Sequence, residues 1–209
     1  MDFKYITDIT HFFPDDPDAE MPNAALALRE HLGHVIKAAT VTGEVEFLSA
    51  IPCRKRLNRK PCPGFVKVMK REVPESYVFW HCSMCDDGGR IANYRNCPCD
   101  QSQFNAHPPR EDEPNPRVEV TISRDEMAAL LSGGLYDSDS DRLIYSARPS
   151  GKGILLRGSY GDMDNFEGHV AADANHEAKR KRQRLMDAVH EKVERALQRV
   201  YDAHDLGAE

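Results

Sequence analysis

Residues 76–89 read SYVFWHCSMCDDGG: an aromatic and β-branched run, then a Cys-x-x-Cys pair, then two glycines. The run predicts a β-strand, and the glycines predict a turn. Two sulfurs separated by two residues can converge on one cation, while backbone amides of the turn offset the charge of the thiolates. The stretch therefore predicts a metal-binding knuckle at Cys82 and Cys85, where a strand ends.

A closed tetrahedral site needs a second pair of ligands in addition to this knuckle. Cys53 and Cys62 are separated by a basic loop, whereas Cys97 and Cys99 would form a tighter Cys-x-Cys chelate. His81 is a further candidate ligand. The residues alone leave these alternatives open.

A structural role fits the knuckle better than a catalytic one. A redox Cys-x-x-Cys is normally followed by a helix, but here Gly88 and Gly89 follow. If four thiolates bind the metal, no coordination position stays open for water. We therefore expect a metal that stabilises the fold, and zinc is the ion that this type of site usually holds.

The composition is that of a polar globular chain. The 209 residues are 40% hydrophobic and 30% charged, with a mean hydropathy of -0.61. No run of about 18 apolar residues occurs, so we expect no membrane span. The first residues, MDFKYITDITHFFPDD, lack the basic start and apolar run of a secretory signal. We therefore expect a reducing, cytoplasmic location, in which the six cysteines are thiols or metal ligands rather than disulfides.

The net charge of -6 argues against a protein that coats nucleic acid with its whole surface. The charge is uneven, however, since residues 41–74 carry 8 basic and 3 acidic side chains. Five of these cations stand between the first two cysteines and predict a localised contact with phosphates. The predicted nucleic-acid-binding residues are Arg54, Lys55, Arg56, Arg59 and Lys60.

The pattern of apolar residues predicts an α+β protein with four sections. Residues 1–40 are expected to form an N-terminal helical segment, and residues 41–100 a β-rich cysteine module. Residues 101–117 are rich in proline and predict a linker or surface loop. Residues 118–209 are expected to form an α+β segment that ends in a long amphipathic helix.

Local patterns predict the individual elements of these sections. A helix is expected over 22–39, and Ser123 with Glu126 predicts a capping box that opens a second, short helix. The last helix is expected over 162–203, with a break near Asn175. Strands are expected over 44–51, 64–70, 76–81, 90–94 and 118–122, and a β-hairpin over 142–147 and 154–157.

The first four cysteines stand in three characteristic segments. These are Ile51-Pro-Cys53-Arg-Lys-Arg, Pro61-Cys62-Pro-Gly and Trp80-x-Cys82-x-x-Cys85-x-Asp87-x-Gly89-x-Ile91-x-Asn93-Tyr94. Together they resemble a family of uncharacterised bacterial zinc-ribbon-like proteins. The resemblance implies the architecture and a zinc site, but no particular reaction. The ligands that it implies are Cys53, Cys62, Cys82 and Cys85.

The segment after Asn93 departs from the pattern of that family. Family members continue with an aromatic residue, a small residue and Pro-Trp-Asp, whereas this chain continues with Tyr94-Arg-Asn-Cys97-Pro-Cys99-Asp100. The resemblance therefore leaves Cys97 and Cys99 outside the zinc site. A second role, such as an auxiliary metal site or a redox pair, stays open for them.

Two further clusters belong to the last section. His169, Asp173 and His176 fall on one helical face, where they can bind a metal or act as acid and base, although helix capping or a polar contact is the simpler interpretation. The run Lys179-Arg-Lys-Arg-Gln-Arg184 can follow a phosphate backbone or form a solvated helix face. It would extend the basic surface of the 54–60 loop if the last helix packed on the cysteine module.

The leading hypothesis is a zinc-binding module rather than an enzyme, with nucleic acid as the first expected partner and protein as the second. The first alternative is a metal-assisted enzyme that uses the face formed by His169, Asp173 and His176. The second alternative is a structural self-assembly protein, whose amphipathic last helix pairs with a second copy in a homodimer.

Overall fold

The computed structural model describes residues 5–14, 20–42, 46–72, 75–95, 97–103, 116–133, 136–151 and 153–205. The chain divides into two compact units, Met1–Pro108 and Pro109–Glu209. It has the α+β architecture that the sequence predicts, with a mixed sheet and a long C-terminal helix. Most of the predicted linker, at 104–115, lies outside the described residues.

The first unit combines a helix, a sheet and a small hairpin. Within the described residues, five strands form one sheet in the order β1-β7-β6-β5-β2, and β3 pairs with β4 apart from it. The β1–β7 pair is parallel and the other neighbours in the sheet are antiparallel. The elements are β1 (Tyr5–Asp8), a 3-10 helix (Ile9–Phe12), α1 (Asn23–Val41), β2 (Glu46–Pro52), β3 (Arg56–Leu57), β4 (Lys60–Pro61), β5 (Phe65–Arg71), β6 (Tyr77–Cys82) and β7 (Gly88–Ala92).

One face of the sheet forms the core of the first unit. Side chains alternate along a strand, and in β6 the buried positions are Val78, Trp80 and Cys82. The register sets Val68 of β5 opposite Trp80, and α1 packs over this side of the sheet, with the ring of His31 edge-on to Trp80 at 5.1 Å between centroids. The sulfur of Cys82 therefore belongs to the buried side of the sheet.

The basic loop between the first two cysteines is a β-hairpin. Arg56 pairs with Pro61 and Leu57 pairs with Lys60, so the turn consists of two residues. These residues, Asn58 and Arg59, have φ angles of 49° and 68°. Two left-handed residues are the signature of a type I′ turn, whose twist matches that of the paired strands.

The second unit consists of a three-stranded antiparallel sheet, in the order β8-β10-β9, and helices packed against it, within the described residues. The predicted capping box is confirmed: the Ser123 hydroxyl accepts from the Glu126 amide at 3.2 Å, and the Glu126 carboxylate accepts from the Ser123 amide at 2.6 Å. The elements are β8 (Arg117–Ile122), α2 (Arg124–Leu131), α3 (Ser138–Ser146), β9 (Arg148–Ser150), β10 (Gly153–Ser159), α4 (Tyr160–His176) and α5 (Arg180–Asp205).

The hairpin predicted over 142–147 and 154–157 is wrong in its first strand, because that segment belongs to helix α3. The Asp137 carboxylate caps α3 by accepting from the Ser140 amide at 2.8 Å, and Asp139 and Asp141 place negative charge in its first turn. These contacts stabilise the amino end of a helix. β10 instead pairs with the shorter β9.

The predicted break in the last helix is confirmed, because α4 ends at His176 and α5 begins at Arg180. The apolar stripe of α5 is covered within its own unit: Val189, Val193 and Leu197 are buried, and α5 packs on α4 and β8. These positions of the stripe, which suggested pairing with a second copy, thus pack inside the second unit. None of the described helices combines the length and apolar character needed to cross a membrane.

Arg182 connects the two sides of this break. Its guanidinium donates to both carboxylate oxygens of Asp173, at 2.9 and 2.5 Å, and to Glu177 at 2.6 Å. Its Nε also donates to the Ala129 carbonyl of α2 at 3.1 Å. The side chains of Arg182, Asp173 and Glu177 are all mostly buried, with exposed fractions of 13%, 15% and 13%. A bidentate pair in such a place fixes the angle between two helices.

Replacing this arginine should destabilise the second unit. We expect Arg182→Ala to lower the free energy of unfolding by about 2 kcal/mol, because the Asp173 carboxylate would lose both bonds of its bidentate charged pair. Lys181→Ala, an exposed cation of the same run, is the matched control and should change it by less than about 0.5 kcal/mol. Urea unfolding followed by circular dichroism measures both, and equal midpoints for the two variants would contradict the role given to Arg182.

Candidate metal centre

Four cysteine sulfurs converge in the first unit. Among the described residues, Cys53, Cys62, Cys82 and Cys85 are the one group of three or more His, Cys, Asp or Glu side chains whose ligand atoms could hold a metal ion. Their sulfurs all lie within 4.8 Å of one another, and the Cys53–Cys85 and Cys62–Cys82 sulfur pairs are each 3.7 Å apart. The arrangement is compatible with a metal site.

The base of the β3–β4 hairpin positions the first pair of cysteines. The Cys53 amide donates to the Gly64 carbonyl and the Cys62 amide donates to the Lys55 carbonyl, each at 2.9 Å. These bonds close the base of the hairpin, so both sulfurs emerge on the same side. A Cβ atom on Gly64 would lie 2.4 Å from the Cys82 sulfur, which explains why a glycine stands here.

A tight reversal between β6 and β7 positions the second pair. The Cys82 amide donates to the Asp87 carbonyl at 2.8 Å, and the Ser83 amide donates to the Phe65 carbonyl at 2.9 Å. The first bond closes the knuckle, and the second ties it to the start of β5. Cys85 lies within the closed loop, and its sulfur returns toward that of Cys53.

Each of the four sulfurs accepts a hydrogen bond from a backbone amide two residues further along the chain. Amide donors of this kind offset the negative charge of thiolates and orient them. The repetition at all four positions indicates a pocket arranged for anionic sulfur rather than a casual contact of four thiols. The pairs are Lys55 with Cys53 at 3.4 Å, Gly64 with Cys62 at 3.4 Å, Met84 with Cys82 at 3.3 Å, and Asp87 with Cys85.

The cysteines differ in how their surroundings affect ionisation. Burial raises the pKa of the Cys53 and Cys85 thiols, because a buried thiolate is poorly solvated. The Gly64 amide lowers the pKa of Cys62. A bound dication would favour the thiolate at all four positions, since metal ligation requires deprotonated sulfur.

A buried carboxylate lies next to the sulfur cluster. Asp87 is 4% exposed, and one of its oxygens is 3.9 Å from the Cys53 sulfur and 3.5 Å from Nε of Arg54. The Arg54 guanidinium also lies 5.5 Å from the ring centroid of Tyr5 and 5.6 Å from that of Trp80. Contacts of a cation with aromatic faces hold Arg54 beside the sulfurs.

The hairpin separates the five predicted nucleic-acid-binding residues into two groups. Arg54 and Lys55 turn toward the knuckle, where Arg54 pairs with Asp87 and Lys55 forms an ion pair with Asp86. Arg54 is exposed even so, and Lys55 is half-buried. The other three predicted residues are exposed on the strands and turn of the hairpin. They are Arg56, Arg59 and Lys60.

The second predicted cluster does not bring its ligand atoms together within the described residues. The His169 ring bonds the Ser140 hydroxyl at 2.9 Å, Asp173 is held by Arg182, and His176 is exposed in the last turn of α4. These contacts match the interpretation of polar packing between helices. Arg182 also belongs to the predicted basic run, so one cation of that run is turned inward.

Cys97 and Cys99 lie outside the four-sulfur group, in a turn that follows β7. The structure thus pairs the knuckle with Cys53 and Cys62, one of the two pairings that the residues had left open. His81 is likewise not a member of the group.

Sequence reasoning did not assign a role to Gly64 or Asp87. Gly64 is needed for close approach to a sulfur, and its signal was its place two residues after Cys62. Asp87 supplies both an amide for Cys85 and a buried carboxylate for Arg54, and its signal was the same spacing after Cys85. In both cases the residue stands two positions after a cysteine, which is the position of the amide that donates to the cysteine sulfur.

No family model, curated protein or solved structure matches the chain. The resemblance to zinc-ribbon-like proteins therefore stays a prediction, and the site defines only a class: an α+β protein with a four-cysteine cluster compatible with a metal ion.

Metal content tests the ligand set. We expect elemental analysis of the purified chain to find one metal ion per molecule, because four converging sulfurs supply one complete ligand set. Cys53→Ser should lose most of this metal, whereas Cys97→Ser should retain it. Loss of metal from Cys97→Ser alone would contradict the assignment.

The close approach at Gly64 gives a subtler test. Gly64→Ala should weaken metal binding by about 10-fold or more, because the new methyl group would displace the Cys82 sulfur from its place. Gly168→Ala is the matched control, since nothing lies within 4 Å of the Cβ position at Gly168. Competition with a chromophoric chelator measures both affinities, and equal values would show that the sulfur tolerates the shift.

Proposed function

We propose that this protein is a zinc-binding, non-enzymatic module in which a four-cysteine site holds a basic hairpin in place for contact with the phosphates of a nucleic acid. The observation that carries the proposal is the convergence of the Cys53, Cys62, Cys82 and Cys85 sulfurs at the base of that hairpin.

Zinc fits the dimensions and the chemistry of the cluster. A tetrahedron with metal–sulfur bonds of about 2.3 Å has edges of about 3.8 Å. Two of the sulfur separations are 3.7 Å, close to that edge. Four thiolates fill a tetrahedral zinc ion and leave no position for water or substrate, which supports a structural role.

The hairpin supports the choice of nucleic acid as the partner. Cys53 and Cys62 bracket it, so a bound ion would fix the direction in which it projects. Its exposed cations are Arg56, Arg59 and Lys60, and the Arg56 guanidinium donates to the Arg59 carbonyl at 2.8 and 3.1 Å. This bond holds one cation close to the turn. A compact set of cations on a rigid turn suits a phosphate backbone, which is read by charge rather than by sequence.

The two cations that pair with the knuckle have a different role in this proposal. Arg54 and Lys55 neutralise Asp87 and Asp86 of the knuckle, and they thereby connect the hairpin to the second pair of ligands. They would contribute to binding through the position of the hairpin rather than through phosphate contact.

A protein partner is the second candidate, and the exposed apolar side chains of the site favour it. Met84 of the knuckle is 65% exposed and Leu57 of the hairpin is 38% exposed. Exposed apolar residues on a rigid element are typical of contact surfaces between proteins.

The salt dependence of binding tests the proposal. The triple variant Arg56→Gln, Arg59→Asn, Lys60→Gln removes the exposed cations, and asparagine tolerates the left-handed backbone at position 59. For a short DNA duplex we expect the slope of log affinity against log salt to become shallower by about 3, because each phosphate that the hairpin no longer neutralises changes the slope by about 0.9. Fluorescence anisotropy with the duplex and with a single-stranded RNA measures this slope.

The matched control is Arg180→Gln, Lys181→Gln, Arg184→Gln, which removes the same charge from exposed positions of α5. It should leave the slope nearly unchanged. An equal loss in both triple variants would contradict a contact localised on the hairpin. Absence of binding by the wild-type chain at low salt would overturn the nucleic-acid part, while metal analysis judges the zinc part separately.

A further inference from the structure

Cys97 and Cys99 lie in a turn that is fastened at both ends. The Cys97 amide donates to the carbonyl of the buried Tyr94 at 3.3 Å, and the Asp100 amide donates to the Cys97 carbonyl at 2.9 Å. Beyond the turn, the Gln101 amide donates to the buried hydroxyl of Thr40 in α1 at 3.0 Å. These hydrogen bonds connect the segment that carries the two cysteines to the buried Tyr94 and to helix α1.

The Cys99 sulfur rests against helix α1. A Cβ atom on Gly33 would lie 2.9 Å from this sulfur, so the helix can come this close only because a glycine stands at position 33. Both cysteines are nevertheless only half-buried, and the Pro98 between them is exposed. Neither cysteine is fully enclosed by its surroundings.

The Cys97 sulfur has the surroundings of a thiolate. It accepts hydrogen bonds from the Cys99 thiol and from the backbone amides of Cys99 and Asp100, and together these bonds outweigh the effect of burial. They lower the pKa of Cys97 to about 7. A thiol with a pKa near neutrality combines a substantial thiolate fraction with strong nucleophilicity.

The spacing permits the two sulfurs to join. Residues two positions apart lie within about 7 Å at their Cα atoms, and in a bent turn they come closer, within the range that a disulfide spans. The Cys99 thiol is also the strongest of the influences that lower the pKa of Cys97, so the two side chains interact.

We propose that Cys97 and Cys99 form a redox-active dithiol, separate from the metal centre, that exchanges with low-molecular-weight disulfides such as oxidised glutathione. In the first step the Cys97 thiolate attacks one sulfur of the glutathione disulfide. A bond forms between Cys97 and glutathione, and one glutathione thiolate leaves and takes up a proton. This step is ordinary thiol–disulfide exchange through a mixed disulfide.

In the second step Cys99 loses its proton and attacks the sulfur of Cys97. The Cys97–Cys99 disulfide forms, and the second glutathione leaves as a thiol. The protein dithiol is oxidised by two electrons, and the glutathione disulfide is reduced to two thiols. In this scheme Cys97 is the attacking residue and Cys99 is the resolving residue.

The test uses the whole 209-residue chain loaded with zinc. The protein is equilibrated at neutral pH with a series of ratios of oxidised to reduced glutathione, quenched in acid, alkylated and analysed by peptide mass spectrometry. We expect the peptide with Cys97 and Cys99 to become two hydrogens lighter, while zinc stays bound and the other four cysteines stay reduced. Reduced Cys97 and Cys99 at every ratio, or oxidation that begins at the metal centre, would overturn the proposal.

Two single variants assign the roles. Cys99→Ser should accumulate the mixed disulfide of Cys97 with glutathione, because nothing resolves it. Cys97→Ser should form a mixed disulfide at Cys99 about 10-fold more slowly, because the activated sulfur is gone. Wild-type metal content and circular dichroism establish that both variants are folded. Equal rates in the two variants would contradict the assignment. So would a wild-type chain that binds two metal ions and a Cys97→Ser variant that binds one, because the cysteine pair would then be a metal site.

Discussion

The meeting of four cysteine sulfurs from two separate loops is the constraint on which the first unit depends. Neither loop has an apolar core of its own: one is a two-residue-turn hairpin and the other is a five-residue reversal between strands. Their common anchor is the sulfur pocket, in which backbone amides already point at each sulfur. A cation at the centre would convert mutual repulsion between thiolates into attraction, and the folding of both loops would then be coupled to its binding.

Asp87 extends this coupling beyond the sulfurs. Its amide reaches Cys85, its carbonyl accepts from Cys82, and its carboxylate faces Arg54, which lies against Tyr5 and Trp80. Asp87 thus bonds within the knuckle directly and contacts the hairpin and the sheet through Arg54. A buried carboxylate is costly without a partner, and Arg54 supplies the positive charge that Asp87 needs.

Short-range signals made much of the fold and the site predictable. The Cys-x-x-Cys knuckle follows from local spacing, and α1 with β2, β5, β6 and β7 follows from apolar periodicity. Strand β1 and the β3–β4 hairpin were not predicted, because short strands carry too little periodicity. The first strand of the hairpin predicted over 142–147 and 154–157 was wrong, because the Asp137 cap that precedes the apolar run starts a helix there. The pairing of Arg54 and Lys55 with the knuckle was not predictable, since it depends on carboxylates that are about thirty positions away in the chain.

The two-residue turn of the hairpin limits the insertions and deletions that the segment between Cys53 and Cys62 can accept. In a strand pair, one inserted residue exchanges the two faces of everything beyond it. An insertion or deletion between Cys53 and Cys62 would aim one sulfur away from the other three or break the bonds that close the base. The number of residues between the two cysteines is therefore fixed, and at the tip only residues that tolerate a left-handed backbone are easily accepted.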